Sequence, residues 1–415
     1  MSLRKKNLKK LKEGNAEFFI FAEDINSTPS KSMNVFYNKK MELNRDLTIL
    51  TVQTYTELYD KNKMLFVDSM AGSGIGAIRL LKNCSNIKKI FINDINPSAK
   101  RLIEKNLELN NLLDKPIEIN ISRKDANLLF NEIAQNVLNE ELSNYRKIDI
   151  ISIDPFGTPN LYIDNSFKAI KKNHGLLCIT ATDTPVLFGV RPKACMRKYM
   201  AKPLHSEFCK EIGARILLYF VSRIANINNL GIIPLLTFYS SHFIRLFLIT
   251  FKSKKEIFKS ISNYGYLIYC KDCGHHFEID LNILNEIKRC KLCGGKTLEY
   301  AGPLWIGKLH DLNFLKKMYT LNKNSGFFIK NKKRIANALK FCLDEINMPI
   351  GYYNIHTLCH QIANKSIPTM EVLLNQIHKE GYKASRTHFD FTSIKTTMDI
   401  ISLKNLLKKL ENGLD

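Results

Sequence analysis

This 415-residue chain reads as an α/β protein, with a Rossmann-like domain followed by a smaller α+β C-terminal part. Three observations predict that. Between residues 65 and 251, short apolar runs alternate with amphipathic stretches, as repeated βα units require. Four of those runs lead into an acid, namely Asp68, Asp94, Asp125 and Asp154, and the first acid precedes a Gly-x-Gly turn at Gly72 and Gly74. Beyond them come two Cys-x2-Cys pairs, the mark of a small metal-held element.

The elements follow in order. Residues 1–64 mix Lys-rich and apolar stretches around an aromatic cluster, Val35-Phe36-Tyr37-Asn38. Strands are expected at Met64–Asp68, Ile90–Asn93, Ile117–Ile121, Ile148–Ile153, Gly175–Thr180, Ile232–Phe238 and Arg245–Thr250, because each is a short apolar run. Helices are expected between them at Ile75–Lys82, Pro97–Leu109 and Asn165–Lys172. The most apolar stretch, Gly231–Phe251, is broken by Pro234, His242 and Arg245, so it reads as two buried strands rather than a membrane span. Residues 252–300 carry the cysteine cluster. Residues 301–415 read as helical and basic, with 17 Lys+Arg against 9 Asp+Glu. There, Pro368 opens a helix with Met370, Leu373, Leu374 and Ile377 on one face, and Gly381 closes it. A second helix is expected at Tyr352–Ile362, and a β-prone stretch runs to Thr397. Two short helices and a β wing suggest a winged helix; a small packing or dimerisation module is the alternative.

The totals narrow the class of partner. There are 62 Lys+Arg and 39 Asp+Glu, a formal net charge of +23, which points to a polyanion and first to nucleic acid. A Lys-rich proteome would raise the charge as well. Hydrophobic residues make up 45%, enough for a sizeable core. The basic first twelve residues are followed by no apolar h-region, and ten cysteines in such a chain suit a reduced, cytoplasmic protein. Nothing points to a membrane or to an obligate protein partner.

Asp154-Pro155-Phe156-Gly157 closes the fourth strand. It sets a carboxylate, a Pro-fixed backbone and a ring at the mouth of the sheet, where open α/β sheets bind ligands. The carboxylate can accept a hydrogen bond from an exocyclic amine while the ring stacks on the base. A strand ending in a turn is the alternative. The loop Asp68 to Gly76 lacks the third glycine of the dinucleotide fingerprint, with Ala77 in its place, and it is no Walker A. A strand ending in an acid and then Gly-x-Gly resembles motif I of S-adenosylmethionine-dependent methyltransferases of class I. Asp94, 26 residues after Asp68, suits the ribose hydroxyls, and Asp125-Ala126 lies where such enzymes contact the adenine amine. Each acid alone is also a plausible helix cap.

Cys270 and Cys273, then sixteen residues, then Cys290 and Cys293 have zinc-knuckle spacing, and each pair ends in Gly. Four thiolates suit tetrahedral structural Zn²⁺. Four unbound thiols, or disulfides in a hyperthermophile, are the alternative. With four Cys present, His275 and His276 are expected to be solvated. The other six cysteines are expected to be small buried residues.

Several strings resemble the tRNA (guanine-26-N2) dimethyltransferase family over most of the chain. They are Val35-Phe36-Tyr37-Asn38, Asn44-Arg45-Asp46-Leu47, the Asp-Pro-Phe-Gly at 154–157, Thr180–Thr184, Pro192–Tyr199, Gly302–Gly307 and Ser385-Arg386-Thr387-His388. The resemblance implies an enzyme that places one or two methyl groups on the exocyclic N2 of guanine 26 of tRNA. It implies that Arg45 meets the methionine end of the cofactor, Asp94 the ribose and Asp125-Ala126 the adenine. Asp154 is then the catalytic carboxylate, Pro155 offers its carbonyl to the second N–H, and Phe36 and Phe156 hold the guanine. Residues 1–64 contribute to both sites, 65–251 form the methyltransferase domain, 252–300 the four-cysteine zinc element and 301–415 the RNA-binding domain. Family members often carry Arg where this chain has Gly76, and Arg79, one turn on, is the candidate replacement. Lys193, Arg197, Lys198, Lys332, Lys333, Arg334 and Arg386 are candidate phosphate contacts. Two other readings stay open: a methyltransferase for adenine N6 or cytosine N4, and an RNA-binding zinc and winged-helix protein whose methyltransferase fold is inactive.

Overall fold

The computed structural model describes residues 7–25, 33–138, 147–325, 330–364 and 366–412. An antiparallel hairpin of β1 (Leu8–Glu13) and β2 (Ala16–Phe21) is followed by helix α1 (Glu42–Leu58). The βα units come next: β3 (Met64–Asp68), α2 (Ile75–Asn83), β4 (Ile87–Asn93), α3 (Pro97–Leu109), β5 (Glu118–Ser122), α4 (Ala126–Leu138), β6 (Ile150–Ile153), α5 (Ile163–Ala169) and β7 (Leu176–Ala181). Helices α6 (Thr184–Leu187), α7 (Pro192–Tyr199) and α8 (Cys209–Ile227) lead to the hairpin β8 (Gly231–Ser240) and β9 (Phe243–Phe251).

These seven strands form one sheet in the order β5-β4-β3-β6-β7-β9-β8. The strands from β5 to β7 are parallel, while β9 is antiparallel to both neighbours, so the sheet is mixed. The cause is local. Only Ser241 and His242 link β8 to β9, with Ser241 at φ 53°, and a link that short can only return antiparallel. The chain moves outward from β3 to β5 and then resumes on the other side of β3 with β6. The carboxyl ends of β3 and β6 therefore flank the switch point where such sheets open a crevice. Asp68 ends one of those strands and Asp154 follows the other.

Strand β3 and the Pro97–Leu109 helix have the bounds the sequence predicts, whereas the β1–β2 hairpin was not expected. The helix is fixed by local signals: Asn96 caps it by accepting from the Ser98 N–H, and Pro97 opens it. Strand β6 starts two residues late because Asp149 turns inward. Its carboxylate accepts from the Leu65 N–H at 2.9 Å and pairs with Lys171.

After α9 (Lys254–Ile261), strands β10 (Tyr264–Cys270), β11 (His276–Asp280) and β12 (Leu298–Trp305) make an antiparallel sheet around the cysteines. Helices α10 (Leu312–Asn324) and α11 (Lys332–Glu345) return to the first sheet. Phe314, Leu315, Met318, Ile335 and Leu339 share one apolar core with Phe66 and Ile90. The expected helix at Tyr352–Ile362 begins instead with a strand, β13 (Tyr353–Asn354), and Asn354 caps α12 (Ile355–Gln361). Then come α13 (Met370–Lys379), β14 (Ala384–Arg386), β15 (Ser393–Thr396) and α14 (Ile400–Asn412). Their strands pair in the order β13-β15-β14, and Ile355, Leu373, Ile377, Ile394 and Leu403 make a separate apolar cluster. No described helix is long and apolar enough to cross a membrane.

Candidate active site

Three adjoining hollows open along the carboxyl edge of the sheet, and Phe36 and Asp154 wall all three. The first is lined by Asn44 and Arg45 of α1, by Asp68, Gly72 and Gly76, and by Arg245. The second, of about 490 Å³, is lined by Gly72, Asp94, Asp125, Ala126 and Phe156. The third, of about 410 Å³, is lined by Pro155, Phe156, Asp183, Lys198 and His242. Of the residues named above for the cofactor and the base, all but Gly74 and the candidate replacement Arg79 line this one crevice.

The acids differ in state. Asp68 is pushed up to about 7 by burial first, then by the neighbouring Asp154 and Asp94 carboxylates, against the pull of Arg245. Asp94 is also raised by burial, although its oxygens accept from the Gly72 N–H at 2.7 Å and the Asn96 N–H at 2.8 Å. Each of those oxygens keeps a second lone pair for a ligand. Asp125 is exposed and accepts from the Asn127 N–H at 2.8 Å, so it caps α4 while also lining the second hollow. Asp154 Oδ2 accepts from Asn44 Nδ2 at 3.3 Å, and the same amide donates to Thr180 Oγ1 at 3.3 Å. Phe36 and Phe156, 39% and 50% exposed, meet edge to face.

Gly72 and Gly74 each make room for a neighbour within the protein. They have φ of 55° and 79°, which L side chains rarely adopt. A Cβ at Gly72 would lie 2.6 Å from the Phe36 carbonyl oxygen, and one at Gly74 would lie 3.0 Å from Ile103. The room they leave is taken by the protein itself, and Gly74 lines none of the three hollows. At Gly76, by contrast, a Cβ would meet Asp68 Oδ2 at an ordinary 3.6 Å, inside the first hollow.

The sequence profile of the N2,N2-dimethylguanosine tRNA methyltransferase family matches residues 16–408. This chain belongs to that family. A tRNA (guanine(26)-N(2))-dimethyltransferase of Methanobrevibacter smithii is 34% identical over 385 residues, covering 92% of this chain and 94% of that one. The protein of the same name from Methanococcus aeolicus is 31% identical over 413 residues, 98% of this chain and 100% of that one. Among solved structures, Trm1 from Pyrococcus horikoshii in complex with S-adenosyl-L-methionine superposes with a TM-score of 0.78 at 27% identity, covering 96% of this chain and 99% of that one.

Two of the arginines are committed within the protein. Arg45 donates from Nε and Nη2 to the two oxygens of Glu13, at 2.7 and 2.6 Å, while still lining the first hollow. Arg79 does not take the place left at Gly76. It is wholly buried, lines none of the hollows, and is held by Glu13 at 2.8 Å and by Asp46. Burial alone would raise the Glu13 carboxyl, but Arg45 and Arg79 outweigh it and hold it below the usual range. Of the basic residues of α7, Lys193 and Arg197 are exposed, and Lys198 pairs with Asp183 at 3.1 Å. In the C-terminal part, Lys333 and Arg334 are exposed, Lys332 Nζ donates to the Ser325 carbonyl, and Arg386 Nη2 to that of Phe391.

Several residues of the crevice escape a reading by motif. Arg245 is buried and donates to Thr180, Thr48 and Ser152, with no carboxylate partner among the described residues. Its signal was a charged residue inside an apolar strand. His242 had no comparable signal; Asn38 and Asn44 lie in the family-like strings, but their partners His242, Asp154 and Thr180 are far off in sequence and could not be read from them.

The four cysteines come together. Cys270 and Cys293 sulfurs are 3.7 Å apart, and those of Cys273 and Cys290 3.8 Å. A tetrahedron with 2.3 Å arms has edges of about 3.8 Å, so the quartet fits Zn²⁺. Backbone N–H groups of His275, Leu292 and Gly295 face three of the sulfurs at 3.4 Å. The expectation that both histidines are solvated fails for His276. It is buried between Phe208 and Tyr353, each 4.7 Å away, and burial pushes it down to about 4. A second buried group, His310, Cys342, Glu345 and His388, is tied by its own hydrogen bonds: Glu345 accepts from Thr387 and from His388. It fastens α11 to the loop after β14.

Proposed function

We propose that this protein transfers methyl groups from S-adenosylmethionine to the exocyclic N2 of guanine 26 of tRNA. The observation that carries the reading is the common wall of Phe36 and Asp154. It joins the two hollows suited to the cofactor to the one suited to a base, so donor and acceptor would meet at the carboxylate.

When bound, S-adenosylmethionine supplies a sulfonium-activated methyl group. The chain's own residues would do the rest. Asp68 and Asn44 line the hollow for its methionine end, with Arg45 beside them; Asp94 would hold the ribose and Asp125-Ala126 the adenine. The guanine N2 lone pair is delocalised into the ring, which makes the amine a poor nucleophile. Asp154 would accept one N–H and take that proton as the methyl arrives. The Pro155 carbonyl would hold the other N–H. Phe156 and Phe36 would stack on a guanine extruded from the tRNA and set its nitrogen in line with the methyl.

Zn²⁺ on Cys270, Cys273, Cys290 and Cys293 would be structural, since four protein ligands leave no open position. Residues 353–412, with two helices before the β14–β15 pair, would be a winged-helix-like module holding the tRNA body. Exposed Lys193 and Arg197 of α7 and Lys333 and Arg334 of α11, all outside that module, are candidate phosphate contacts. The unpaired cysteines suit the reducing cytoplasm.

Incubation with labelled S-adenosylmethionine and unmodified tRNA, then nucleoside analysis, tests the reading. N2-methylated guanosine at position 26 supports it. N6-methyladenosine, N4-methylcytidine or no product overturns it.

A further inference from the structure

A base lifted out of a nucleic acid is read along its Watson–Crick edge. For guanine that edge offers two donors, the N2 amine and N1–H, and one acceptor, O6. If the amine lies at Asp154, as proposed above, something on the base hollow has to donate to O6, which has lost its partner on leaving the stack.

His242 lines that hollow together with Asp154, Pro155 and Phe156. Its tautomer is fixed by a chain of hydrogen bonds. Asn38 caps the short helical turn Lys39–Met41, and its side-chain oxygen accepts from the Lys40 N–H at 2.9 Å. The oxygen is therefore committed, and the other end of the Asn38 amide is its NH₂. That NH₂ lies 3.3 Å from His242 Nε2. An NH₂ can only donate, so Nε2 has to accept and the ring proton has to sit on Nδ1. An imidazolium would set N–H against N–H at this contact. Burial first and Lys40 second hold His242 below its ordinary value, against the pull of Asp154, so the ring is neutral at pH 7. The Nδ1–H has no hydrogen-bond partner among the described residues.

We propose that His242 is a base-reading residue, donating its Nδ1–H to guanine O6 while Asp154 holds N2, and that Asn38 positions it by fixing the tautomer. The inference rests on the guanine-N2 reading above and adds the contact that selects the ring. It makes His242 a donor that adenine does not answer: with the adenine N6 amine at Asp154, the position reached through N1 is a C2–H.

The test is a substrate-by-variant cycle on the full-length, metal-containing protein. Transcripts carry guanine or 2-aminopurine at position 26; the second keeps the 2-amino group and lacks O6. On guanine, His242→Ala is expected to lower kcat/KM by roughly 10- to 100-fold, the range for leaving a polar edge unpaired. On 2-aminopurine the same variant is expected to match the wild type. His242→Asn, whose amide nitrogen can stand where Nδ1 stands, is expected to recover most of the loss on guanine. Equal loss on both substrates would make His242 a packing residue and overturn the proposal, as would full activity of His242→Ala on guanine. A wild type that methylates no guanine N2 overturns the functional reading and this inference with it, whereas an active wild type with an indifferent His242 overturns the inference alone.

Discussion

Phe36 and Phe156 touch edge to face, with ring centroids 5.8 Å apart and planes at 81°. A base sandwiched between two parallel rings needs them about 7 Å apart, twice a carbon–carbon contact distance. At 5.8 Å and 81° the two rings leave no slot for a base between them, so the proposed stacking requires one of them to turn. Both are substantially exposed, so turning costs little packing. Phe156→Ala is expected to lower kcat/KM for tRNA by roughly 5- to 150-fold, the value of one base–aromatic stack. Cofactor affinity should change far less, by calorimetry. Equal loss in both would mean that Phe156 only shapes the cofactor hollow.

Asp154 accepts from Asn44 and stands in all three hollows. Asp154→Ala should cost roughly 10²- to 10⁴-fold in single-turnover rate, the usual worth of a positioned base. The tRNA and S-adenosylmethionine should still bind. Near-normal turnover in this variant would assign the base elsewhere.

Asp68 gives a pH dependence with a definite sign. Its carboxyl lies at about 7 in the free protein, because burial and the nearby Asp154 and Asp94 disfavour the anion. A group raised on folding makes the folded state lose stability as pH rises from the ordinary 3.8 toward 7. A cationic ligand reverses this, since it binds the anion better. Affinity for S-adenosylmethionine should therefore rise as pH goes from 6 to 8 and level off above. Proton release on binding should be measurable at pH 6. Asp68→Asn should bind more weakly and flatten the profile; an unchanged slope would place the titrating group elsewhere.

What the sequence made legible was local. The strands of the crevice are apolar runs that stop at an acid, and α3 carries its own cap and proline. Those signals sit within a few residues of what they specify. The antiparallel edge was harder, since the apolar pattern of Gly231–Phe251 is the same for either direction, and only the brevity of the Ser241-His242 link decides it. The hidden part of the site is the part built from distant segments. Glu13 on the first hairpin meets Arg45 and Arg79, and Asn38 meets His242 across more than two hundred residues. Gly72 and Gly74 show the converse: their pattern was visible, but the neighbours that need them, Phe36 and Ile103, were not.

Arg79 tests how much of that hidden network is structural. It is wholly buried, bonded to Glu13 and Asp46, and Asp46 is otherwise held by Asn331. Arg79→Met leaves Asp46 as a buried anion without its cation, which typically costs about 3–5 kcal/mol. Urea unfolding should show it as a lower midpoint with an unchanged slope. Glu13 is held low by Arg45 and Arg79, so its contribution is complete above the ordinary value of 4.5 and is lost as pH falls through its folded value. Glu345, held well below its ordinary value by His388 and His310 despite burial, adds to the same acid loss. Wild-type stability should fall steeply below pH 4.5, and less steeply in Glu13→Gln.

The four-cysteine element supports the C-terminal module without touching the crevice. Cys273 and Leu292 pack against the apolar cluster of the C-terminal module, and the Gly274 backbone lies so close to Ile400 that a Cβ there would be 2.7 Å from it. The quartet therefore supports residues 353–412 and lies outside the three hollows of the crevice. Protein purified without chelator should hold about one equivalent of zinc on these four ligands, and Cys273→Ser with Cys290→Ser should hold none. The double variant should keep its affinity for S-adenosylmethionine, because Asp94 and its neighbours sit on the first sheet. Its affinity for tRNA should fall, because the module proposed to hold the tRNA body loses its support, while the phosphate contacts proposed for α7 and α11 should keep the decline of log affinity with log salt close to that of the wild type. Less than about half an equivalent of zinc in the wild type would count against the metal. A zinc-free variant with undiminished tRNA affinity would instead separate the metal from the RNA-binding surface.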